Sequence, residues 1–168
     1  MFFTPDLIAK IKETIRLAVK NEAKITCAES CTGGLLSALF TEISGASEVF
    51  DCGFIVYSNQ AKSDLLKIDP KLITKYGAVS SQIARQMATN SIKNSKATIS
   101  IAITGIAGPK GGSKTKPVGL VYIASFNQKT KKLITKKFNF KGSRFEIRKQ
   151  SALAAIEMLN RNLNRPAL

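Results

Sequence analysis

The 168-residue sequence contains no histidine and no tryptophan. Without an imidazole, Ser-His-Asp and Cys-His hydrolytic arrangements are excluded, as is any metal site that relies on histidine. Acidic residues are scarce too: 11 Asp plus Glu stand against 26 Lys plus Arg, a formal charge of +15. So small a stock of carboxylates gives little material for a calcium cage or a paired-carboxylate site. The three cysteines, Cys27, Cys31 and Cys52, are odd in number, and Cys27-x3-Cys31 has no second pair to complete a zinc site. They read as reduced thiols. No apolar run approaches the ~20 residues needed to cross a bilayer, and residues 1–6 hold no basic leader before an apolar stretch. A cytoplasmic protein with no membrane partner is expected. Chemistry is left to hydroxyls, lysines, arginines, backbone amides or a thiol.

What is present is an alternation of helical and strand patterns. The length predicts a single domain, 1–168, with no repeat and no linker between separate cores. Thr4-Pro5-Asp6 predicts a helix start with Thr4 as hydroxyl N-cap, and Leu7, Ile8, Ile11, Ile15 and Ala18 share one face to about residue 22. Residues 25–28, 49–57 and 98–103 are strand-like. Helical segments are predicted between them, over 35–44, 60–66, 70–76 and 80–92. A Gly/Pro/Lys-rich loop follows over 105–119, then two strands, 118–126 and 133–140, as a hairpin around 127–130. Ser143-x-x-Glu146 is a capping box that opens a terminal helix with Phe145, Ala152, Ile156, Leu159 and Leu163 on one side. The pattern predicts an α/β fold, a three-layer α/β/α sandwich whose mixed, mostly parallel sheet is flanked by helices. Open α/β sheets carry their sites beyond strand carboxyl ends, so the polar segments 29–34, 57–62 and 104–112 are candidates to converge.

Ser30 leaves a predicted strand and enters a glycine-started helix, which points its hydroxyl out of the sheet near free amides able to bind an oxyanion. The alternative is that Ser30 or Thr32 merely caps that helix. A serine nucleophile needs a base, and here only a lysine is at hand, provided its pKa falls from about 10.4 toward neutrality through burial and positive neighbours. With Asn59 as N-cap, Lys62 is the third residue of its helix, where the positive end of the macrodipole disfavours an ammonium. The loop around Thr104-Gly105-Ile106-Ala107-Gly108-Pro109-Lys110-Gly111-Gly112 resembles a phosphate cradle in composition but fits neither the P-loop nor the G-x-G-x-x-G pattern. Late basic residues, among them Lys129, Lys131, Lys132, Lys136, Lys137, Arg144 and Arg148, form either a solvated hairpin or a patch for nucleic acid, without the aromatic platforms of common modules. Arg144 stands apart, since it falls in the first turn of the last helix, beside free amides.

Ala28-Glu29-Ser30-Cys31-Thr32-Gly33-Gly34, Gly53-Phe54-x-x-Tyr57-Ser58-Asn59-x-Ala61-Lys62, Gly77-Ala78-Val79-Ser80, Thr104-Gly105-Ile106-Ala107-Gly108-Pro109-x-Gly111-Gly112 and Lys116-Pro117-Val118-Gly119 closely resemble the CinA C-terminal domain family. The resemblance implies nicotinamide-nucleotide amidohydrolase activity: nicotinamide mononucleotide and water give nicotinic acid mononucleotide and ammonia. It assigns Ser30 as nucleophile, Lys62 as general base, and Tyr57 and Thr104 as supporting hydroxyls. Substrate contacts are expected from Glu29, Thr32, Gly33, Gly34, Asn59, Gly105 and Arg144, with the oxyanion held by amides of residues 32–34. No metal and no cofactor are expected; the resemblance also implies a stand-alone form and a homodimer. The other reading is a catalytically silent module whose basic face docks on nucleic acid or a protein.

Overall fold

The computed structural model describes residues 3–164, so the leader reading at Met1 and Phe2, and residues 165–168, lie outside the described residues. Five strands, β1 (Ile25–Glu29), β2 (Phe50–Ile55), β3 (Ile99–Gly105), β4 (Leu120–Asn127) and β5 (Lys132–Asn139), form one sheet in the order β2-β1-β3-β4-β5. β2, β1 and β3 are parallel, while β3–β4 and β4–β5 are antiparallel, so β4 alone runs against the others. Six helices pack around the sheet: α1 (Pro5–Lys20), α2 (Leu35–Thr41), α3 (Asn59–Leu66), α4 (Pro70–Tyr76), α5 (Ser81–Lys93) and α6 (Arg144–Leu163).

The two faces of the sheet differ in side-chain size. Ile25, Cys27, Ile99, Ile101, Ile103, Val121 and Ile123 meet α1, α2 and α6 in one core. On the other face a row of small residues, Ala28, Ala102 and Ala124, aligned across three strands, meets Ala84, Met87 and Ala88 of α5 in a second core. The small residues let α5 approach closely enough for Ser100 Oγ to donate to the Ala88 carbonyl at 2.7 Å. Burying each Ile or Leu of these cores contributes about 1.5–3 kcal/mol, which makes the two-sided cover the main stabilising feature. β1 is buried along its whole length, as expected of a strand covered on both faces.

Several local expectations shift. Thr4 occupies the N-cap position of α1, but its side chain makes no cap bond; Pro5 follows it, and Asp6 in the first turn faces the positive end of the dipole. The capping box at Ser143 and Glu146 is present in full. On α6 the core-facing residue of the first turn is Ile147, while Phe145 is 45% exposed, because the helix is rotated from the face drawn through Phe145. Since β1, β2 and β3 are parallel, their carboxyl ends open on one edge of the sheet, and the three polar segments meet there.

Candidate active site

Ser30 follows the last residue of β1 and is held from several sides. Its amide donates to the Ile103 carbonyl of β3 at 3.0 Å. Behind it, the fully buried Glu29 carboxylate accepts from the amides of Gly34, Leu36 and Ser37 at 3.1, 3.1 and 2.8 Å, and from Ser37 Oγ at 2.8 Å. These four donors stitch the Ser30–Gly34 turn to the start of α2. Gly34 has φ +90°, a left-handed conformation that L side chains rarely adopt, so the turn needs glycine there. From α6, Arg148 Nη2 donates to the Thr32 carbonyl at 2.7 Å and closes the other side of the turn.

Lys62 projects from α3 toward the same point. The N-cap of α3 is Ser58 rather than Asn59: its hydroxyl accepts from the Ala61 amide at 3.0 Å, which makes Lys62 the fourth helical residue. Lys62 is 1% exposed, and its Nζ lies 3.1 Å from Ser30 Oγ, 2.8 Å from the Val56 carbonyl and 3.3 Å from that of Tyr57. No carboxylate pairs with it among the described residues. Burial lowers its pKa from the usual 10.5 to about 8, opposed only by the neighbouring Cys31. Positive neighbours, expected to assist, are not a cause of the shift. A neutral amine has two N–H donors and one lone pair, and the two nearer carbonyls satisfy the donors. The lone pair is then free to accept the Ser30 hydroxyl proton.

The pair lies at the floor of a cavity of about 280 Å³. Of the residues singled out from the sequence, Ser30, Tyr57, Lys62, Thr104, Gly105 and Arg144 line it. Thr104 is buried, with Oγ1 donating to the Ala78 carbonyl at 2.8 Å. At Gly105 a Cβ would meet Val121 Cγ2 at 2.6 Å, so strand β4 requires a glycine there. Tyr57 is 63% exposed at the rim, where its hydroxyl accepts from Arg144 Nη2 at 3.4 Å; Arg144 Nη1 donates to the Gly108 carbonyl at 2.9 Å.

Glu29, Thr32, Gly33, Gly34 and Asn59 do not line the cavity. Glu29 points into the protein to cap α2, and Thr32 is buried away from the opening. Gly33 and Gly34 spend their amides on the Ser30 carbonyl and the Glu29 carboxylate. Asn59 faces a separate shallow cavity beside Gln60 and Pro70. Of the turn amides that donate to no other residue among the described ones, those of Cys31 and Thr32, only Cys31 belongs to the cavity lining, which moves the candidate oxyanion donor to the residue next to Ser30. Cys31 itself lines the cavity, but burial pushes its thiol up to about 12, so it stays protonated and packs.

The cavity adds Ala78, Val79, Ile106, Ala107 and Lys110, which the sequence reasoning left without a role. The blocks Gly77-Ala78-Val79-Ser80 and Gly105–Gly112 were the available signal. Two of the late basic residues also change meaning: Arg148 anchors the Ser30 turn, and Lys129 Nζ donates to the carbonyls of Asn21 and Glu22 at the end of α1. Among the described residues no group of three or more His, Cys, Asp or Glu is placed to hold a metal, and no helix is long and apolar enough to cross a membrane.

A three-layer α/β/α sandwich with a buried serine–lysine pair beyond its parallel strand ends defines the class. The chain belongs to the CinA C-terminal domain family, whose sequence model matches residues 8–163. It is 44% identical over 155 residues to a CinA-like protein of Thermotoga neapolitana, covering 92% of this chain and 37% of that protein. It is 43% identical over 133 residues to nicotinamide-nucleotide amidohydrolase PncC of Enterobacter agglomerans, covering 79% and 80%. The crystal structure of competence/damage inducible protein CihA from Agrobacterium tumefaciens superposes with a TM-score of 0.93 at 40% identity, over 97% of this chain and 98% of that one. The chain thus spans little more than a third of some relatives, such as the Thermotoga protein, and most of others.

Proposed function

We propose that this chain is an amidohydrolase that converts nicotinamide mononucleotide to nicotinic acid mononucleotide and ammonia by a Ser30/Lys62 mechanism. The observation that carries the reading is a buried lysine with no counter-ion, its pKa lowered to about 8, and its Nζ 3.1 Å from Ser30 Oγ. The similarity to the Enterobacter amidohydrolase supplies the substrate.

In this mechanism Ser30 Oγ attacks the carboxamide carbon while its proton passes to the lone pair of Lys62 Nζ. The carbonyl oxygen becomes an oxyanion, held by the Cys31 amide. As the tetrahedral carbon collapses, the C–N bond breaks and lysinium gives the proton to the nitrogen, so ammonia leaves and an ester to Ser30 remains. Water then attacks that ester, giving its proton to Lys62, and collapse breaks the bond to Oγ, which takes the proton back. Protons balance over the cycle within Ser30, Lys62, water and ammonia. Thr104 and Tyr57 are assigned supporting contacts, and Arg144 a place at the rim.

The test is ammonia release from nicotinamide mononucleotide. Ser30→Ala and Lys62→Ala are each expected to lower kcat by about a thousandfold or more with the fold intact by circular dichroism. Full activity in either variant would falsify the dyad, and a silent wild type would leave the cavity as a binding site.

A further inference from the structure

The charged side chains lining the cavity are all cationic: Lys62 at the floor, Lys110 and Arg144 at the exposed rim. They differ in how much of their hydrogen-bonding capacity is committed. Lys62 faces Ser30 and the Val56 and Tyr57 carbonyls. Arg144 holds the Gly108 carbonyl with one terminal nitrogen and the Tyr57 hydroxyl with the other, so it braces the loop that carries Lys110. The Lys110 ammonium has no hydrogen-bond or ion-pair partner among the described residues. It has three donors to offer a ligand, and no acid competes for them in the cavity lining.

We infer that Lys110 reads the anionic end of the substrate, making this cavity selective for amides that carry a phosphomonoester. The inference deepens the amidohydrolase reading and rests on it for the orientation: an amide at Ser30 on the floor puts the far end of the ligand at the rim. An ammonium suits a phosphomonoester because it acts as a point charge that follows a rotating group, and a charge-assisted contact of this kind is worth about tenfold in affinity. Arg144 is then a positioning residue for the Lys110 loop as well as a rim contact.

Titration calorimetry with ribose 5-phosphate as the probe tests this without requiring turnover, using the whole chain as wild type, Lys110→Met and Lys110→Arg. Lys110 is exposed, so both variants are expected to fold. Binding is expected to weaken about tenfold in Lys110→Met, to stay within about threefold of wild type in Lys110→Arg, and to weaken with added salt. In turnover, the ratio of kcat/KM for nicotinamide mononucleotide to that for nicotinamide riboside is expected to fall about tenfold in Lys110→Met. Equal binding by wild type and Lys110→Met, or no binding by wild type at millimolar probe, overturns the assignment. The two readings separate cleanly. If wild type binds the probe through Lys110 but releases no ammonia, the hydrolase reading falls and the phosphate site stands. Ammonia release by wild type with Lys110-independent probe binding gives the reverse.

Discussion

At the scale of the residue, burial sets the protonation state of Lys62, on which the proposed chemistry depends. Its environment holds carbonyl oxygens, which accept from the amine in either protonation state, but no carboxylate to favour the ammonium. With a pKa of about 8, roughly a tenth of the side chains are neutral at pH 7 and about nine-tenths at pH 9. If neutral Lys62 is the base in acylation, kcat/KM must rise about tenfold between pH 7 and 9 with a slope of one on the low-pH side, then level off. A profile flat across that range would remove Lys62 from the role. Serine and lysine lie 32 residues apart in sequence, so their adjacency depends on β1 and β2 being neighbouring parallel strands. Neither residue alone announces the pair. Glu29, for which the family resemblance implies contact with substrate, is turned inward by alternation along β1, where three amides and a hydroxyl absorb its charge.

At the scale of the element, β3 shows why so much of the architecture was legible. Its sequence alternates Ile99, Ile101 and Ile103 with Ser100, Ala102 and Thr104, and the large residues face α1 and α6 while the small ones face α5. Alternation with period two, repeated in helix–strand order, carries layer order directly. Helix ends were less readable. Ser58 and Asn59 are both good caps, and only the backbone direction at the end of β2 decides for Ser58. The asymmetry of β3 gives opposite sensitivities at adjacent positions. Ala102→Leu is expected to overpack the α5 face and cost about 1–3 kcal/mol, whereas Ile101→Ala leaves a cavity on the other face and costs about 2–5 kcal/mol. Denaturant midpoints check both. A neutral Ala102→Leu would show that α5 is not closely seated on the alanine row.

At the scale of the whole molecule, the missing histidines shape how stability responds to pH. Through most of the interval from pH 5 to 7 no side chain has an ordinary pKa in range, so a level shelf is expected there. Above it two opposing effects enter. Lys62 has a folded-state pKa below its unfolded value, so between about 8 and 10.5 the unfolded chain binds more protons at this site and stability rises with pH. The thiols of Cys27, Cys31 and Cys52 work in the other direction: burial raises their pKa values above 9.0, so the unfolded chain loses those protons first and stability falls above about pH 9. Lys62 by itself contributes a rise of about 1 kcal/mol from pH 8 to 9, most of which the thiols cancel, and above pH 9 the thiols outweigh the lysine. Lys62→Met removes only the first effect. Its denaturation profile should therefore turn down at lower pH than that of wild type, and the difference from wild type should grow by about 3 kcal/mol in total between pH 8 and 10.5. Urea midpoints measured on both proteins at half-unit intervals decide this. Parallel curves from pH 7 to 10 would mean that Lys62 is charged in the folded protein, and with it would go the electron pair that the proposed attack by Ser30 needs.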